Sequence, residues 1–292
     1  METSSAIGTQ PPTPSTQYSV LSTPYSSDAD AATPTKSDAT TTLLRVCNLS
    51  YRYPNGQPAL HDVTFDIPAG ESVGLVGPNG AGKTTLLLHL NGLLPDAAAL
   101  PSGEDSATAG IAITVGGLPM SRTHLPEIRR QVGLLFQDPD DQLFCPTVGE
   151  DVAFGPLNLG LSVDEVKRRV VESLNAVGLA GYEDRGTQRL SFGERRRACL
   201  AGVLACQPAL LALDEPSSNL DPRSRRGFID LVKSLPAAKL IASHDLDMIV
   251  ELCPRVMVLD HGRIQADGPT ASVLANARLM AEHGLEVPWR LR

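Results

Sequence analysis

Three short stretches of this 292-residue chain carry residues whose types and spacing suit chemistry on a polyphosphate. The first is Gly77-Pro78-Asn79-Gly80-Ala81-Gly82-Lys83-Thr84, followed by Thr85. Glycines at such spacing let a backbone wrap an anion without Cβ clashes, so that successive N–H groups point inward. The lysine and hydroxyls that end the stretch supply a cation for phosphate oxygens and a hard oxygen ligand for Mg2+. The second stretch, Leu210-Leu211-Ala212-Leu213-Asp214-Glu215-Pro216, is an apolar run ending in two carboxylates. One acid could hold a hydrated metal ion and the other deprotonate a water. In the third, Leu190-Ser191-Phe192-Gly193-Glu194, a serine and a backbone N–H open a helix and form a second anion site. A strand ending in Asp-Glu, or a serine at a helix start, is commonplace by itself. Their company is what gives them weight.

These stretches need a scaffold. Leu44–Tyr53 reads as a strand, Asn55-Gly56 as a turn and His61–Ile67 as the returning strand of a hairpin. Glu71–Val76 is a short apolar strand running into the Gly-rich loop. Gly82–Leu94 reads as a helix, with Leu86, Leu87, Leu90 and Leu93 at helical spacing. Pro95–Gly110 is a loop, and Ile111–Val115 and Val132–Phe136 read as strands. Thr147–Gly186 is largely helical, with Ser162 and Glu165 as a capping box for a helix through Val177. Ser191 caps a helix over Gly193–Ala205. Ala209–Leu213 is a buried strand, Pro222–Leu235 a helix with proline in its first turn, and Lys239–Ala242 a strand. Arg255–Asp260 and Arg263–Ala266 form a hairpin turning at His261-Gly262. A last helix, Ala271–Glu282, precedes a loose end, Gly284–Arg292. Alternating strands and helices imply an α/β fold, its sheet mostly parallel with helices on both faces.

Hydrophobic residues at 42% suffice for a full core, whereas aromatics at 4% and a net charge of -8 argue against a nucleic-acid surface. No apolar run approaches the roughly eighteen residues that span a bilayer. Work at a membrane would therefore require docking onto another protein's helices. Residues 1–42, mostly Ser, Thr, Pro, Ala and Asp, read as a disordered tail without the features of a transit or secretory peptide. The five cysteines hold no CxxC pair and fit a reducing compartment; Cys199 and Cys206 read as small buried apolar residues.

Between a strand and a helix, G-x-x-x-x-G-K-[ST] resembles the phosphate loop of P-loop NTPases. The element Leu190–Glu194 narrows the family, because it resembles the LSGGQ motif that defines ATP-binding-cassette (ABC) ATPases. Arg195-Arg196-Arg197 and the Ala-rich helix behind them follow the same pattern. The resemblance covers roughly Leu44 to Leu274. It implies a RecA-like core with an antiparallel β subdomain and an inserted α-helical subdomain at about 138–193, all within an ATPase domain at 43–276. Residues 277–292 are then a C-terminal extension. It also implies ATP and Mg2+, bound by the stretch from Gly77 to Thr85, with Lys83 on the β- and γ-phosphates. Thr84, Asp214 and Gln137 are expected at the metal. Glu215 is expected to deprotonate the attacking water, and His244 to contact the γ-phosphate. Tyr53 matches the aromatic that stacks on adenine, with Tyr51 as the alternative. Ser191, Gly193 and Glu194 would serve the ATP held by the opposite protomer of a homodimer or heterodimer. Ser218-Asn219-Leu220-Asp221 matches the loop that meets its counterpart across that dimer.

Two residues depart from the pattern: Phe192 replaces the first motif glycine and Glu194 the glutamine. Phe192 falls where only backbone need approach phosphate. Glu194 brings negative charge near a polyanion, which is expected to weaken the trans contact without abolishing it. The run Phe136–Phe144, with Thr147-Val148, Asp151–Gly155 and Ala201–Ala205, resembles the energy-coupling-factor branch, which includes cobalt and nickel importers. That branch implies a peripheral subunit at the cytoplasmic face of the membrane, its helical part receiving integral membrane partners. Asp140 and Asp141 would meet basic residues there, with Leu143 and Phe144 as apolar anchors. The competing reading is a stand-alone cassette ATPase in translation or repair. The chain shows neither the paired cassettes nor the long coiled coils usual in those proteins.

Overall fold

The computed structural model describes residues 42–101 and 113–292. The expected tail, save Thr42, lies outside the described residues, as do most of the loop after Pro101 and the first two residues of the strand expected at Ile111–Val115. In chain order the strands are β1 (Thr42–Arg52), β2 (Pro58–Pro68), β3 (Ser72–Val76), β4 (Ile113–Val115), β5 (Leu118–Pro119), β6 (Val132–Leu135), β7 (Leu210–Asp214), β8 (Ala238–Ala242), β9 (Arg255–Asp260) and β10 (Arg263–Pro269). The helices are α1 (Lys83–Leu90), α2 (Leu125–Gln131), α3 (Val148–Asn158), α4 (Val163–Ala176), α5 (Phe192–Ala205), α6 (Pro222–Ser234), α7 (Leu246–Leu252), α8 (Thr270–Leu274) and α9 (Ala277–Glu282).

Two sheets result. A four-stranded antiparallel sheet has the order β2-β1-β4-β5, and a six-stranded sheet the order β10-β9-β3-β8-β7-β6. In the larger sheet only β10 runs antiparallel to its neighbour. Its central strands are mostly apolar because both faces are covered, Lys239 of β8 being a buried exception. In β7, Leu210 and Ala212 enter the core shared with α1, α2 and the smaller sheet, while Leu211 and Leu213 enter the core beneath α3 to α7. A parallel sheet brings the carboxyl ends of its strands to one edge. The Gly-rich loop after β3, Gln137 after β6, Asp214 ending β7 and His244 after β8 therefore share that edge.

Several expectations need correction, each for a local reason. The helix α1 ends at Leu90 rather than Leu94, because Gly92 turns left-handed at φ 66°. The last helix is two, since the Asn276 side chain caps a new start by accepting from the Leu279 N–H. Helices α2 and α7 were not expected; α7 is capped by Asp245, which accepts from the Met248 N–H. Ser162 caps α4, but the Glu165 carboxylate turns to Arg168 and Arg169 and leaves that capping box half made. Cys199 is buried as expected, whereas Cys206 is only partly so.

The segment after Gly284 is not loose. Leu285, Val287 and Leu291 pack against the helical core, and Arg290 pairs with Glu251 of α7 at 3.3 Å. Removing residues 284–292 withdraws three partly buried apolar side chains, which is expected to cost about 2–4 kcal/mol. The melting temperature should fall by roughly 5–10 °C. Calorimetry showing no shift would mean that the segment contributes nothing to the fold.

Candidate functional site

The loop after β3 is built for close approach. A Cβ on Gly77 would lie 1.9 Å from the Leu259 carbonyl oxygen, so only glycine fits against β9. Gly82 takes φ 106° and precedes α1 without a side-chain cap, leaving the helix N–H groups for a ligand. The turn between β9 and β10 braces the loop, since the Gly262 N–H donates to the Ala81 carbonyl at 3.0 Å. Lys83 is 8% exposed and donates from Nζ to the carbonyls of Gly77 (2.7 Å) and Pro78 (3.1 Å). Burial pushes its pKa down, and the nearby Glu215 and Asp214 charges partly oppose this.

Opposite the lysine stand the two carboxylates. Thr84 donates from Oγ1 to Asp214 Oδ2 at 2.7 Å, across 130 residues of sequence. Burial raises the Asp214 pKa and the Thr84 bond opposes the rise. Glu215 sits at φ 43°, a left-handed position rare for a residue with a side chain. Its backbone N–H donates to the Ala242 carbonyl at 2.9 Å, tying the end of β7 to β8. Its carboxylate accepts from the Ser243 hydroxyl at 3.1 Å and the His244 N–H at 3.1 Å, and His244 Nδ1 lies 2.8 Å away. A carboxylate offers about four acceptor positions, so one remains for a further donor such as water.

One cleft of about 600 Å³ is lined by these groups. It gathers Asn79 to Thr85, Gln137, Asp214, Glu215 and His244, with Tyr53, Gln57, Pro58 and Ala59 on the other flank. Gly77 and Pro78 contribute their carbonyls to Lys83 rather than lining the cleft. Tyr53 lines it and Tyr51 does not.

Ser191, Gly193 and Glu194 are not brought into that cleft. Ser191 is exposed at the start of α5, in a complete capping box with Glu194. One Glu194 oxygen accepts from the Ser191 backbone N–H (2.8 Å) and hydroxyl (2.7 Å), and the other from the Tyr182 hydroxyl (2.8 Å). The Ser191 bonds, then that of Tyr182, hold the Glu194 pKa below the usual carboxylate range.

Two functional positions escaped sequence reasoning. Ser243 holds Glu215, and nothing local marks it. Arg196 is 0% exposed and spends its donors on backbone carbonyls. They belong to Phe136, Gln137 (2.8 Å), Glu215 and Pro216 (3.1 Å), with the Ser218 hydroxyl at 3.4 Å. Spacing does not separate it from Arg195 and Arg197, because buried residues lie three and four positions after each of the three arginines. Asp140, still largely exposed, pairs with this chain's own Arg195, and Leu143 is partly buried against the core. Phe144, 63% exposed, and Phe154, 47% exposed, remain as an edge-to-face pair at 4.8 Å.

Residues 60–218 match the ABC transporter family model. A Streptomyces coelicolor protein described as an ABC transporter ATP-binding protein is 51% identical over 247 residues, covering 84% of this chain and 90% of the other. The energy-coupling factor transporter ATP-binding protein EcfA of Methanothermobacter thermautotrophicus is 44% identical over 249 residues, covering 84% and 77%. Among solved structures, cbiO1 from Clostridium perfringens, part of the ABC transporter complex cbiONQ, superposes with TM-score 0.68 at 35% identity, covering 82% and 94%. The chain belongs to the ABC transporter family as an ATP-binding subunit, an ATPase coupled to transport. Among the described residues no helix is long and apolar enough to cross a membrane.

A carboxyl whose folded pKa is raised binds more protons folded than unfolded. Its contribution to stability is present at low pH and lost as pH rises through the folded value. Asp214→Asn should therefore flatten that loss and raise the melting temperature of the nucleotide-free protein at neutral pH, while destroying turnover. Parallel melting curves for the two proteins from about pH 4 to 8 would contradict it.

Proposed function

We propose that this subunit energises an energy-coupling-factor type importer of a metal ion, such as cobalt or nickel, or of a vitamin. It would act as a homodimer, or beside a second ATPase of the family, on the cytoplasmic face of the membrane. The observation that carries the motor reading is the separation within one chain of Lys83, buried in the cleft, from Ser191, exposed outside it. Two anion-binding elements that do not share a cleft suit a nucleotide gripped between facing subunits. The EcfA relative and the cbiO1 structure support the importer branch. The exposed Phe144–Phe154 pair beside Asp141 supports docking of an integral membrane partner, as an apolar centre with a polar rim.

In this reading Tyr53 stacks on adenine, the loop from Gly77 to Thr85 cradles the phosphates, and Lys83 turns from its own carbonyls to the β- and γ-phosphate oxygens. Thr84 and Asp214 fit Mg2+: both offer hard oxygens, and the buried Asp214 has only a hydroxyl for a partner. Gln137 is the third candidate at the ion. Bound there, Mg2+ would neutralise charge on the phosphates. Glu215 takes a proton from the water whose oxygen bonds to the γ-phosphorus as the bond to the ADP oxygen breaks, giving ADP and phosphate. His244 orients that carboxylate and faces the γ-phosphate. Ser191 and the Gly193 N–H come from the facing subunit.

Glu215→Gln should slow turnover by on the order of 10²–10⁴. With ATP it should accumulate as a dimer in size-exclusion chromatography with light scattering. A variant hydrolysing ATP at the normal rate would remove Glu215 from the mechanism. Glu194 adds a brake, because Ser191 has one hydroxyl proton and a carboxylate now holds it. Glutamine is a weaker acceptor, so Glu194→Gln should lower the ATP concentration for half-maximal dimerisation by roughly three- to tenfold. An unchanged or higher midpoint would contradict the competition.

A further inference from the structure

The base flank of the cleft closes on itself. The Tyr53 hydroxyl lies 2.8 Å from Thr85 Oγ1, joining the turn after β1 to the third residue of α1. The Thr85 carbonyl lies 2.7 Å from His89 Nδ1, one turn further along the helix. The His89 ring meets Tyr51 edge to face at 4.5 Å and 73°, and Tyr51 meets Tyr53 at 5.1 Å and 77°. Thr85, Tyr53, Tyr51 and His89 thus form a ring of contacts that begins and ends on one residue of the phosphate-loop helix.

The proton positions follow from chemistry. A carbonyl only accepts, so His89 carries its proton on Nδ1. His89 is 2% exposed, burial pushes its pKa down, and the ring is neutral. Its Nε2 is buried without a hydrogen-bond partner. This histidine is therefore a wedge, its proton committed to Thr85 and its ring to Tyr51. With Tyr53 donating, Thr85 Oγ1 accepts and keeps its own proton for a further acceptor.

We propose that Thr85 is a positioning residue for the base: it tethers Tyr53 to the phosphate loop, and the Tyr51–His89 contact holds the ring from behind. The platform stands in its stacking pose before nucleotide arrives, and base and phosphate recognition share one anchor. Tyr51 is then the support of the platform rather than an alternative to it. An unanchored tyrosine after a strand end must be ordered by the ligand, at a cost to affinity. The inference rests on the reading of Tyr53 as the adenine platform, and the variants separate the two.

Titration calorimetry with ATP and with tripolyphosphate, which lacks a base, tests it. Tyr53→Phe keeps the ring and removes the tether. It should weaken ATP by about three- to tenfold and leave tripolyphosphate affinity unchanged. In a Thr85→Val background, where the tether is already gone, adding Tyr53→Phe should cost nothing further. Tyr53→Ala should weaken ATP more than Tyr53→Phe. If Tyr53→Ala weakens ATP while Tyr53→Phe does not, or if the two losses add, the tether is wrong and the platform stands. Normal ATP affinity in Tyr53→Ala would overturn the platform reading itself.

Discussion

The site depends on gathering three buried ionisable groups in one cleft without joining any two of them in an ion pair. Lys83, Asp214 and Glu215 line one cleft, and among the described residues none forms an ion pair with another. Their partners are two carbonyls for Lys83, a hydroxyl for Asp214, and for Glu215 a hydroxyl, a backbone N–H and a largely exposed imidazole. Buried charge without a counter-ion is costly. The fold meets that cost with the carboxyl ends of parallel strands, where backbone groups converge. In the proposed reading a polyphosphate and a metal ion would supply further charges of both signs to this cleft.

The same constraint explains Arg196. A cation at the centre of a packed interface takes the carbonyls of Phe136, Gln137, Glu215 and Pro216, and so fastens α5 to the segments that follow β6 and β7. Arg196 therefore links the backbone of Gln137 and of Glu215 to the helix that Ser191 opens. The helix that Ser191 opens, Gln137 and the acidic end of β7 are joined by one side chain. The aromatic flank has its own joint in Thr85, which ties Tyr53 to α1.

Much of the fold was legible because its signals are local. The apolar runs Val73–Val76 of β3 and Leu210–Leu213 of β7 announce a sheet covered on both faces, and the Gly-rich loop announces its own turn. Failures came where a weak local signal lost to a neighbouring residue. Leu93 keeps the helical spacing, yet Gly92 ends α1 and leaves Leu93 42% exposed. Asp245 caps α7, a role that its place beside His244 at the end of β8 does not signal. In the site, residue types were readable but partnerships were not. The Thr84–Asp214, Tyr53–Thr85 and Arg195–Asp140 pairs join residues far apart in sequence, and no spacing rule reaches them. The three consecutive arginines look alike, since buried residues follow each at three and four positions, although only Arg196 is itself buried.

A mixing experiment tests most directly whether the grip is shared between facing chains. Lys83→Ala and Ser191→Ala protomers, each inactive alone, are combined and their ATPase activity is measured. If each nucleotide is held by one chain's Lys83 and the other's Ser191, a mixed dimer places both lesions in one site and leaves its twin intact. Random pairing should then restore roughly a quarter of the wild-type activity. A mixture as inactive as its components would mean that both residues act on the same nucleotide from the same chain.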